Sequence, residues 1–80
     1  MEDRLVDVIT VAPVPGGWSV RQELSDAHQI FFSGAKAEAA ARKLGEALAQ
    51  AGRTAEIHIY LRDGSLGGRW VCAPRETIPA

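Results

Sequence analysis

Residues 35–51 read AKAEAAARKLGEALAQA, and residues 55–62, just beyond them, read AEIHIYLR. The first stretch carries a helix pattern, the second a strand pattern, and the switch between them decides the fold. Alanine, the strongest helix former, dominates 35–51. Ala37, Ala40, Leu44, Ala47, Leu48 and Ala51 recur at helical spacing and predict the buried stripe. Glu38 stands four residues before Arg42, the favourable order for an exposed ion pair. Gly45 interrupts the pattern at a cost of about 1 kcal/mol against alanine. Ser33 is placed to cap the start of the helix, and Gly52 to end it at C′. In 55–62 the period falls to two. Ile57, Ile59 and Leu61 face one side, and Glu56, His58, Tyr60 and Arg62 the other.

Upstream of the helix the chain reads as three short strands. Residues 5–12 are rich in β-branched side chains and predict a strand ended by Pro13, because proline cannot donate to a ladder. Pro15-Gly16-Gly17 makes a turn, and 18–23 alternates, with Trp18, Val20 and Gln22 on one face, as the second arm of a hairpin. After a turn at Ser25-Asp26, residues 27–32 form a third strand, with His28, Ile30 and Phe32 on one face and Gln29 and Phe31 on the other. Downstream, Asp63-Gly64 is a strong hairpin dipeptide. Residues 69–72 return as a short last strand, with Gly67-Gly68 as a hinge before it. The expectation is one α+β domain over 1–80, ordered over about 5–73 with a flexible tail at 74–80. Its order is β-β-β-α-β(-β), with one helix on one face of a mostly antiparallel sheet. Trp18, Phe32, Ile57, Ile59 and Trp70 are the candidate large core residues.

Eighty residues with 46% apolar content hold one thin core, since 13 of the apolar residues are alanine. No apolar run reaches the roughly 18 to 20 residues of a membrane span. Nor does an apolar core with a small-residue cleavage site follow residues 1–4. The lone Cys72 cannot close an internal disulfide, so the expected setting is cytoplasmic, with no membrane partner. Nine basic and ten acidic side chains give a net charge of −1, and the arginines are scattered. That balance gives little electrostatic pull on nucleic acid and little resistance to self-association.

The run Pro15-Gly16-Gly17-Trp18-Ser19-Val20-Arg21, the Lys36-Ala37-Glu38-Ala39 helix opening, and Ile57-His58 followed by Arg62-Asp63-Gly64 together resemble the small bacterial domain-of-unknown-function family 2188. The likeness covers roughly residues 8–72. Tyr60 and Leu61 lengthen the interval before the Asp-Gly turn, and Leu66-Gly67-Gly68-Arg69-Trp70-Val71-Cys72 replaces the family's charged ending. The resemblance implies a fold and no activity. The strand order is also similar in topology to YegP-like proteins, whose units build a continuous sheet by pairing and exchanging C-terminal strands.

Chemistry-bearing residues form no catalytic pattern. His28 and His58 could share a metal only if their strands were neighbours. Cys72 has no adjacent oxyanion loop or orienting group. Residues 64–68 lack the Gly-Lys-Ser/Thr ending of a phosphate loop. Asp26, Glu56 and Asp63 show no pairing that would set their pKa values apart. No catalytic, metal or cofactor residue is assigned, and the chain is expected not to be an enzyme. A one-helix domain leaves one sheet face open, and large or cationic residues there mark an interaction surface. The candidates are Phe31, Tyr60, Arg21, Arg62, Arg69 and Trp70. The expected function is a small module acting through homodimerisation or another protein contact at its sheet. The alternative is nucleic-acid binding through the open face.

Overall fold

The change of period between residues 51 and 55 is realised as a helix laid along a sheet. The structure, a computed structural model, describes residues 6–23, 25 and 27–74. Its elements are β1 (Val6–Val14), β2 (Gly17–Gln22), β3 (His28–Phe31), α1 (Gly34–Gln50), β4 (Thr54–Tyr60) and β5 (Leu66–Cys72). The strands lie in the order β3-β2-β1-β4-β5. Three ladders are antiparallel, and the central one, β1 with β4, is parallel because α1 carries the chain back across the sheet. The expected α+β architecture is formed, with the last strand present. Leu5, Asp26 and residues 75–80 of the expected tail lie outside the described residues.

Several strand boundaries depart from expectation: β2 spans Gly17–Gln22 rather than 18–23, β4 stops at Tyr60 rather than at 62, and β1, β3 and β5 differ more. β1 continues through Pro13 to Val14, which pairs with Gly17. The Glu23 N–H donates to the Val8 carbonyl at 2.8 Å, so even-numbered β1 residues bond to β2 and odd-numbered ones turn toward β4. Pro13 therefore turns its missing donor toward β4, whose pairing with β1 stops at Val11 and Ile59, and no ladder bond is lost. β3 is only four residues long. β5 begins at Leu66 rather than 69, so Gly67 and Gly68 sit inside the ladder with β4 of the same chain and are not a hinge before it. A register shift near Ile59 and Tyr60 absorbs the extra residue.

The helix starts and stops where the sequence predicts. Ser33 Oγ accepts from the Lys36 N–H at 3.1 Å, and Gly52 takes φ +87° after the C-cap Ala51. Arg42 reaches Glu38 at 3.3 Å. The buried stripe, however, is Ala37, Ala41, Gly45 and Ala49, while Ala47 and Ala51 are exposed. The helix is rotated so that its smallest residues meet the sheet. Gly45 explains why: a Cβ there would lie 2.9 Å from Cys72 Sγ and 3.3 Å from Ile57 Cδ1. The glycine cost within the helix is what permits this close approach.

The core gathers Ile9, Val11, Val20, Ala55 and Ile57 beneath Ala37 and Ala41, with Trp18, Phe31, Leu44, Leu48, Ile59 and Cys72 packed around it. Phe32, expected inside, is 92% exposed, because β3 ends at Phe31 and the chain turns into the helix there. Trp70 is 42% exposed on an edge strand. At the other end of the core Asp7, in phase with Ile9 and Val11, is 1% exposed. Arg53, just after the helix, grips both its oxygens through Nε and Nη2. This forked pair ties the start of β1 to the α1–β4 loop, and the Asp7 hydrogen bond and charge raise the Arg53 pKa further above its ordinary value.

Candidate interaction surface: the open face and the β5 edge

Strand alternation sends Ile9, Val11, Val20, Gln29, Phe31, Ile57, Trp70 and Cys72 toward the helix and their neighbours to the uncovered face. On that open face one row crosses all five strands: His28 opposite Arg21, Arg21 opposite Thr10, Thr10 opposite His58, and His58 opposite Arg69. Glu56 anchors one end of it. Its Oε1 lies 3.0 Å from His58 Nε2 and 3.3 Å from Arg69 Nε. The His58 hydrogen bond, aided by the Arg69 charge, holds the Glu56 carboxyl below the ordinary carboxylate range.

The six candidate surface residues do not all share one face. Arg21, Tyr60 and Arg69 lie on the open face as predicted. Phe31 does not: it pairs with Trp18, and that register turns its ring under the helix, against the core. Arg62 also leaves the open face. It sits in the turn after β4 and places its guanidinium carbon 5.6 Å from the Trp18 ring centroid, beside Pro13, Val14 and Pro15. Trp70 points to the helix side of β5, where Arg42 stacks over its ring at 3.9 Å.

The remaining candidates are not brought together. His28 and His58 share the open-face row but are separated by β2 and β1, three strand spacings or about 14 Å. Cys72 lies on the opposite face from His58, against Gly45. Gly64 takes φ +89° in the β4–β5 hairpin. There Asp63 Oδ1 accepts from the Ser65 hydroxyl and backbone N–H, and these bonds lower its pKa. Among the described residues no group of three or more His, Cys, Asp or Glu converges.

A feature the residue pattern understated is the β5 edge. Among the described residues no strand pairs with the outer side of β5, which is seven residues long, contains no proline and carries one charge, Arg69. Leu66, Trp70 and Val71 are 51%, 42% and 54% exposed along it. Because α1 lies over β4 and only grazes β5, two grooves open on either side of Trp70. One, of about 250 Å³, runs past Arg42, Glu46 and Cys72, and the other, of about 490 Å³, past Glu38, Leu61 and Gly67. The signal in the sequence was the apolar Leu66-Gly67-Gly68-Arg69-Trp70-Val71-Cys72 run, whose full length becomes a strand. No family model, curated protein or solved structure matches this chain.

Proposed function

We propose that this chain is a small non-enzymatic module that works by pairing through its sheet, first of all with a second copy of itself. The observation that carries this reading is the β5 edge, long, nearly uncharged and flanked by half-exposed Leu66, Trp70 and Val71. Edges of this kind are normally shortened, charged, broken by proline or covered. The other edge, β3, has four residues and is blunted by its length. A net charge of −1 opposes association weakly. The reading suits a reducing, cytoplasmic setting, where Cys72 stays a thiol. Light scattering on a size-exclusion column, over a range of concentrations, tests it. A species of twice the 8.6 kDa chain is expected, and a monomer at every concentration would overturn the reading.

The open-face row supports a second reading, nucleic-acid binding, with Arg21, Arg69 and the two histidines toward phosphates and Tyr60 as a stacking surface. It ranks second because Glu56 already engages His58 and Arg69. A labelled oligonucleotide bound at low salt and released steeply as salt rises would favour it, whereas absent or salt-independent binding would remove it.

A further inference from the structure

We infer that two copies join antiparallel along β5, with the two-fold axis beside Trp70, so that Arg69 of each copy lies opposite the partner's Val71. This rests on the self-association reading and adds the strand and the register. The backbone phase comes first. Odd-numbered β1 residues turn toward β4, and in the parallel register Ile9 lies opposite Ile57. Even-numbered β4 residues therefore bond back to β1, while Ala55, Ile57 and Ile59 turn to β5 and bond to Cys72, Trp70 and Gly68. Arg69 and Val71 are left with their N–H and C=O groups directed outward, as the attachment points for a new strand.

Three two-fold axes pair these two outward-facing residues with themselves or with each other, and they fall beside Arg69, Val71 and Trp70. Centred on Arg69 it sets two guanidinium groups directly opposite each other, which is destabilising. Centred on Val71 it overlaps only the last three residues of β5, 70–72. Centred on Trp70 it pairs residues 68–72 and keeps the arginines apart. Each Arg69 then neighbours the partner's Val71, whose own ladder neighbour is Glu56, so positive, apolar and negative side chains alternate across the joined open faces. On the helix side the two Trp70 rings meet across the axis, between the grooves that α1 leaves uncovered. The axis of an isologous contact also closes the assembly at two copies, where pairing of β5 with β3 would run on as a filament.

This register makes Gly68 and the partner's Cys72 a non-hydrogen-bonded pair with Cα atoms about 4.5 Å apart, within disulfide reach. A Cβ at Gly68 meets only Ile59, at 3.9 Å and beyond, so Gly68→Cys is accommodated. Full-length Gly68→Cys, equilibrated with oxidised glutathione, is expected to run as a covalent dimer on a non-reducing gel. The dimer should vanish on reduction and when Cys72→Ala is added. A dimer by light scattering with no cross-link in Gly68→Cys, or with a cross-link already in the unaltered chain, would overturn the register and leave self-association standing. A monomer by light scattering would overturn both.

Discussion

Gly45 and Glu56 show how single side chains set the geometry here. Alanine in place of a helix-interior glycine ordinarily stabilises by about 1 kcal/mol. At position 45 the added Cβ would press on Cys72 Sγ at 2.9 Å, and overpacking of this kind costs about 1–3 kcal/mol. Gly45→Ala is therefore expected to lower stability by up to about 2 kcal/mol in urea denaturation, with Cys72→Ala in the same chain restoring it. A stabilised Gly45→Ala single variant would show that helix and strand do not approach this closely. Glu56 acts through charge. Its folded pKa lies below its unfolded value of about 4.3, so its contribution is fully present above that pH and disappears as pH falls through the folded pKa. Glu56→Gln removes the contribution. The stability gap between the chain and this variant should accordingly narrow as pH falls below about 4.3 and through the folded pKa, and a gap that does not change with pH would mean that the His58 and Arg69 contacts carry no weight.

Helix α1 and its two boundaries were legible because their signals are local. Alanine content, the Ser33 hydroxyl and the Gly52 conformation need no knowledge of what the helix touches. The hairpin turns at Pro15-Gly16 and Asp63-Gly64 were legible for the same reason. What the helix buries was not, since its rotation is set by clearance over Ile57 and Cys72, residues that follow it in sequence. Likewise alternation placed Arg21, Tyr60 and Arg69 correctly, but the face of Phe31 depended on its register with Trp18, and β3 is too short to announce that register. The buried Asp7 shared the phase of Ile9 and Val11, a signal visible in the sequence, whereas its partner Arg53 became visible only once the helix end was placed. The N-cap can be tested alone. Ser33→Ala should cost about 1 kcal/mol in urea denaturation, while Ser33→Asp should keep the cap and gain from the absence of any acidic residue in the first turn. Equal stability of the chain and Ser33→Ala would place the helix start elsewhere.

At the scale of the whole molecule, the strand order separates two jobs. β1 sits in the middle, paired on both sides, and Ile9 and Val11 hold the centre of the core, so stability is concentrated there. β5 lies at the margin, barely covered by α1, and leaves Leu66, Trp70 and Val71 half-exposed. A substitution on β5 can therefore change association while leaving the fold intact. Val71 is the position for it: 54% exposed, on the open face, with Glu56 as its ladder neighbour. A lysine there finds a carboxylate within its own chain, so the monomer keeps its β4–β5 ladder. The same lysine adds charge to the pairing edge, the device by which natural edge strands refuse partners, and in the Trp70-centred register it faces the partner's Arg69. Val71→Lys is expected to retain the far-ultraviolet circular dichroism of the unaltered chain while its scattering mass falls from twice the chain to 8.6 kDa. Were Val71→Lys to remain dimeric, the contact would have to lie on another surface, with the β3 edge and its exposed Ile30 and Phe32 as the place to look next.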